Sequence, residues 1–246
     1  MTVHSVKRPR RSPGRPPRGG DLAARERLID AATGLFGERG VAASTFALIA
    51  SRGGLTPAMM HYYFRDRDRL LDAVAAERLI PLITSVWDPV EPGMAPDEII
   101  RGIVNRMLEG IVGMPWVPST WMREVLNEGG LLRSRIVRSL PFDKVRLLTE
   151  AVARGQTGRT VNQNLDPVLI VFSTLGLVMM HMATVRFFAG VFHRDPPDTE
   201  TICRHVTALL LNGLQPETPE PDARKKVAAP TGEAAGRSAA KRGTRK

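Results

Sequence analysis

The chain has 246 residues, 43% hydrophobic and 24% charged, enough to bury a sizeable core and to form two domains. An aromatic content of 5%, 19 prolines and the lack of alternating Val/Ile/Thr runs argue against a sheet protein; the single cysteine, Cys203, excludes an intramolecular disulfide and fits a reducing cytosol. The net charge of +10 sits at the ends: residues 1–20 carry +6 and residues 223–246 carry +7, leaving the body at −3. The tails, not the body, have the character of a nonspecific DNA-coating polycation.

In chain order, residues 1–20 contain KRPRRSPGRPPRGG, which has no apolar side chains to bury, and its prolines favour an extended path. A disordered basic arm is expected. Gly14-Arg15-Pro16 resembles the core of an AT-hook, which lays an arginine, here Arg15, into a narrow A·T-rich minor groove. The plainer reading is a cationic leader that adds affinity by counterion release.

A first amphipathic helix is expected over residues 21–38, with Leu28, Ile29, Ala32, Leu35 and Phe36 at helical spacing. Residues 45–63 then read as two short helices joined by a tight turn. Thr45 is a candidate N-cap, and Phe46, Ile49 and Ala50 recur at i, i+3 and i+4. Gly53-Gly54 breaks the helix, because glycine reaches positive φ without steric cost. Thr56 is expected to cap the next helix, with Pro57 at its first position, where a missing N–H costs nothing. This is a helix-turn-helix, in which the second helix enters the major groove.

A further helix is expected from residue 66 into the eighties, ended or kinked by Pro81. Arg65, Arg67 and Arg69 at its start are placed to reach phosphate; the alternative is a solvated charged face.

By these residues the chain resembles the TetR family of bacterial transcriptional repressors. The likeness covers about residues 25–79: the first helix, Gly40-Val41, Thr45, Ile49-Ala50, Gly54-Leu55-Thr56, Tyr63-Phe64 and Arg67-Asp68 leading into Leu70-Leu71. His61 stands where the family usually has tyrosine, Gly53 where alanine is usual, and Arg67-Asp68 where Lys-Glu is commoner. The resemblance implies an all-α protein, with a three-helix helix-turn-helix domain (residues 21–80) followed by a helical ligand-binding and dimerisation domain (residues 95–214).

Residues 88–96, with three prolines and a glycine, read as a loop between the two domains. Beyond it, apolar spacing predicts helices over residues 97–111, 119–128, 131–140, 141–153, 166–188 and 199–214. The apolar stretch 168–185 is read as a buried helix of a soluble protein rather than a membrane span, because it contains His181 and three Ser/Thr. Cys203 is expected as a buried thiol on an apolar helix face. Residues 215–246, rich in proline, alanine and lysine, are expected to be a disordered basic tail.

Thr56, Pro57, Ala58, Met59 and His61 are expected to present the recognition helix to base edges, with Thr45, Tyr62 and Arg67 on phosphates. Ala58 and Met59 offer thymine methyls apolar contact rather than bidentate hydrogen bonds. For an effector pocket the candidates are Met107, Trp116, Trp121, Met122, Phe172, Met179 and His181, an adaptable Met and Trp set; plain core packing is the alternative. Arg123 and Glu124 could anchor a polar group, although neighbours at i,i+1 do not share a helix face.

No P-loop, G-x-S-x-G motif or paired metal-ligand histidine is visible, so neither enzyme, cofactor nor metal is expected. The expected partners are an operator in double-stranded DNA, a second copy through the last two long helices, and a small apolar effector. No membrane partner is expected, and the expected location is the cytoplasm, in association with the nucleoid. The alternative is a nucleoid-type architectural protein that uses its basic tails and has no effector.

Overall fold

The computed structural model describes residues 18–216; residues 1–17 of the basic arm, Arg15 among them, and residues 217–246 of the basic tail lie outside the described residues, while residues 18–20, expected in the arm, begin the first helix. Among the described residues every regular element is helical. Three helices come first: α1 (Arg18–Arg39), α2 (Phe46–Arg52) and α3 (Pro57–Phe64). Leu28, Ile29, Leu35 and Phe36 of α1 close over Ile49 and Ala50 of α2 and Met60 and Phe64 of α3, all of them buried. The positions in α1 and α2 are among those that helical periodicity had marked, Met60 and Phe64 of α3 are not, and the burial of all of them drives the three-helix packing.

Pro81 does not end its helix, although the helix changes to a π turn just before it. The run continues through α4 (Arg67–Val74), a π-helical turn (Ala75–Leu79) and α5 (Ile80–Trp87). Proline removes one i to i−4 bond, here the one that would reach the Glu77 carbonyl. The π turn lets Ile80 N–H reach back to Ala75 O, and Arg78 Nη1 donates to the orphaned Glu77 carbonyl at 3.2 Å. The helix therefore passes the proline with its polar groups satisfied.

The second part comprises α6 (Pro96–Gly113), α7 (Val117–Thr120) with a π turn over Trp121–Val125, α8 (Arg133–Val137), α9 (Phe142–Thr157), α10 (Pro167–Val191) and α11 (Thr199–Leu214). Helix α6 is the hub: Ile99, Ile100, Ile103, Val104, Met107, Leu108 and Ile111 are all buried, and α5, α9, α10 and α11 pack around it. The loop before α6 is tied down by Lys144 Nζ, which donates to Asp88 O (3.0 Å) and Val90 O (2.8 Å).

Helix α10 departs from the buried helix expected. Only 28% of its most apolar window is buried, although the helix is long and apolar enough to cross a membrane. Its inner face packs through Ile170, Val171, Thr174, Val178 and Met179, while Leu169, Phe172, Met180, Phe187 and Val191 are exposed at spacings of three, four, seven and eight. Cys203 is half-buried, and its thiol donates to Asn105 Oδ1 at 3.0 Å.

Candidate nucleic-acid interface and internal cavity

The helix-turn-helix is set by a few local bonds. Thr45 Oγ1 accepts from Leu48 N–H (3.3 Å), which leaves its own O–H free to donate outward. Of the two turn glycines only Gly54 has positive φ (+66°); Gly53 stays helical, and a Cβ there would meet Leu28 Cδ2 at 3.3 Å. Gly53 therefore serves close approach to α1, while Gly54 makes the turn. Pro57 opens α3 as expected, but the Thr56 side chain makes no capping bond.

Along α3, Thr56, Pro57, Ala58, His61 and Tyr62 are exposed and Met59 is half-buried, with Met60 and Phe64 turned to the core. His61 Nδ1 lies 3.1 Å from Arg65 O, and because a carbonyl only accepts, Nδ1 carries the proton. The ring leans on Phe46 (centroids 5.2 Å), so its Nε2 edge is available. Tyr63, one place on, donates its O–H to Asp21 at the start of α1. Burial, and then that bond, pushes its phenol up to about 12.

The three arginines after α3 separate. Arg67 Nη2 donates to the carbonyls of Val41, Ala42 (3.2 Å) and Ser44 (3.1 Å), so this guanidinium staples the α1–α2 loop instead of standing ready for phosphate. Arg65 and Arg69 are exposed, and their side chains make no hydrogen bond or ion pair among the described residues. Arg65 has φ +53°, a strained turn that ends α3 beside the start of α4.

Behind α5 lies an apolar cavity of about 470 Å³. Met107, Trp121, Met122, Phe172 and Met179 line it, together with Trp87 and Leu82. His181 does not: two residues past Met179 it faces across α10, where its ring packs on His205 of α11 (5.5 Å) and its Nδ1–H donates to Leu177 O at 2.6 Å. Trp116 is also elsewhere. It abuts Gly37 of α1, where an added Cβ would stand 2.7 Å from Trp116 Cβ. A larger hollow of about 860 Å³ between α6 and α11 is more open and more polar, bordered by Arg101, Asn105 and Arg204.

Arg123 and Glu124 join the cavity wall to the N-terminal helices. Glu124 is buried, and its Oε1 accepts from Val41 N–H (3.0 Å) while Oε2 accepts from Leu131 N–H (3.1 Å). Arg123 Nη2 and Ser119 Oγ (3.1 Å) both donate to Gly37 O near the end of α1, where carbonyls lack helical partners. Arg135 of α8 reaches Asp68 (2.9 Å) and Asp72 (2.7 Å) of α4. Trp121, Met122 and Arg133, on the same segments, line the cavity. This clasp was not legible in the sequence, because its partners are more than 60 residues apart.

Comparison with known proteins agrees with this geometry. Residues 28–74 match the model described as bacterial regulatory proteins, tetR family. The HTH-type transcriptional regulator BetI of Brucella suis is 36% identical over 80 residues, which is 32% of this chain and 40% of that protein. The chain thus spans about two fifths of that relative's length. BetI of Rhizobium meliloti is 26% identical over 164 residues, 60% of this chain and 81% of the relative. The solved TetR-like transcriptional regulator from Rhodococcus sp. RHA1 superposes with a TM-score of 0.60 at 18% identity, over 81% of this chain and 98% of that one. Residues 28–74 therefore form a helix-turn-helix domain of the bacterial regulatory proteins, tetR family, and the helices beyond it have the fold of solved TetR-like regulators.

Proposed function

We propose that the protein is a homodimeric transcriptional repressor, acting in the cytoplasm and released from a pseudo-palindromic operator by a small apolar effector. The observation that carries the reading is the outward face of α3, with Thr56, Ala58, His61 and Tyr62 exposed on a buried three-helix core. In this reading Thr56, Ala58, Met59 and His61 meet base edges, with Pro57 fixing the start of the helix, and Thr45 and Tyr62 donate to phosphates. Arg65 and Arg69 take the phosphate role that the sequence suggested for Arg67 as well.

The exposed stripe of α10, together with Leu209 of α11, supports pairing of two copies in a four-helix interface. Two reading heads then address half-sites about one helical turn apart, or a multiple of that. The cavity behind α5 supports the effector, whose release of DNA requires unequal affinity for the free and DNA-bound forms. A nucleoid-packing role draws no support from the relatives, which are transcriptional regulators.

The test is a genome-wide footprint with the full chain, followed by binding to the recovered site. Two symmetric protected half-sites are expected, with Met180→Arg giving a monomer in light scattering and a large loss of operator affinity. Sequence-independent coating, or an operator-competent monomer, refutes the proposal.

A further inference from the structure

The cavity grades from apolar to charged. Its inner wall is hydrocarbon and indole: Leu79, Val86, Trp87, Met107, Ile111 and Val117 are all at most 4% exposed. Its outer rim, at Leu126, Val137 and Phe172, is open to solvent. Arg133 stands on the exposed rim and is, among the described residues, the only Lys, Arg, Asp or Glu that lines the cavity. The one hydrogen bond of its side chain among the described residues, Nη1 to Leu126 O at 3.1 Å, is to a neutral carbonyl, and no carboxylate pairs with it there. Arg135, two residues on, is occupied by Asp68 and Asp72. A lone cation beside an apolar chamber, with low-dielectric walls that strengthen its field, is the complement of a molecule with an apolar tail and an anionic head.

We infer that the cavity takes an anionic amphiphile, with its hydrocarbon tail against Trp87 and Met107 and its carboxylate at the Arg133 guanidinium. The inference rests on the proposal that this cavity is the effector site, and narrows it from an apolar molecule to a charged one. A carboxylate fits the planar fork of arginine with two parallel N–H···O bonds, whereas the matched alcohol offers a single neutral oxygen. The tail supplies affinity and the rim supplies discrimination. Each buried methylene contributes about a fourfold gain in affinity, so lengthening the tail by two carbons tightens binding about fifteenfold until the chamber is full.

The test is titration of the full chain with decanoate, dodecanoate and tetradecanoate, and with the corresponding alcohols, below their micelle-forming concentrations. The fluorescence of Trp87 and Trp121, which line the cavity, reports binding. Wild-type protein is expected to prefer each carboxylate to its alcohol by about tenfold or more. Arg133→Gln is expected to erase that preference with alcohol affinities unchanged, and Arg133→Lys to retain part of it. Equal affinity for acid and alcohol in the wild type, or a preference that survives Arg133→Gln, overturns the anion-reading inference while leaving an apolar effector site intact. Failure of both series to bind overturns the effector site and this inference together.

Discussion

Removal of the Glu124 side chain offers the sharpest test of how the cavity wall is joined to the reading head. The carboxylate accepts from Val41 N–H at 3.0 Å and from Leu131 N–H at 3.1 Å. Val41 is fully buried, so in Glu124→Ala its N–H loses its partner without access to water, at a cost of about 1–3 kcal/mol. Leu131 is 40% exposed, so water replaces most of what its N–H loses, and that part costs under about 1 kcal/mol. Relief from burying a charge offsets a fraction of the sum, which leaves about 2–3 kcal/mol of destabilisation. For a chain of this size that lowers Tm by about 5–10 °C. Glu124→Gln keeps one acceptor oxygen but turns an NH₂ toward the other donor, so roughly half the effect is expected. Urea unfolding at a single protein concentration measures both variants, with the midpoint moving and the m value unchanged. A Glu124→Ala protein within about 0.5 kcal/mol of wild type refutes the clasp, and so does a Glu124→Gln protein as unstable as the alanine variant.

The remaining predictions concern the DNA-facing side. Arg65→Ala and Arg69→Ala should each flatten the salt dependence of operator binding by about one unit without affecting thermal stability. Arg67→Ala should leave that slope unchanged and lower Tm, because the carbonyls of Val41, Ala42 and Ser44 lose their shared donor; the reverse pattern would return Arg67 to phosphate. Arg25 pairs with Glu77 through bonds of 2.6 and 2.7 Å and holds the Glu77 carboxyl below its ordinary value, first through the hydrogen bond. A folded-state pKa that lies below the unfolded one stabilises above the unfolded value, and the gain is lost as pH falls through the folded value. Glu77→Gln should therefore cost under about 1 kcal/mol at neutral pH, since the side chains of Arg25 and Glu77 remain 28% and 34% exposed. The difference should shrink in urea titrations as pH falls below the ordinary glutamate value and vanish once the folded Glu77 carboxyl takes up its proton; a gap that does not shrink would locate the effect elsewhere.

Local patterns were readable wherever neighbours in sequence are neighbours in space. The stripe through Leu28, Ile29, Leu35 and Phe36, the Thr45 cap, the Gly54 turn and Pro57 at the head of α3 all follow from helical spacing and backbone preference, and each forms as expected. The Met and Trp set of the cavity was legible in kind, and five of its seven members do meet, at Met107, Trp121, Met122, Phe172 and Met179. His181 and Trp116 could not be sorted from them, because which side of a helix faces a cavity depends on what packs against it. Pro81 misled for a related reason, since a π turn and the Arg78 side chain replace the bond that proline removes.

The sequence by itself determined the all-helical class and the geometry of the helix-turn-helix, both written in contacts a few residues long. Only the tertiary structure decided the jobs of the charged side chains. Arg67 looked the same as Arg65 and Arg69 until the α1–α2 loop closed over its guanidinium, and Glu124 looked like an anchor for a polar group until Val41 and Leu131 turned their N–H groups toward it. An arginine or a glutamate satisfies a backbone group as readily as a ligand, and long-range folding determines which one stands within 3 Å.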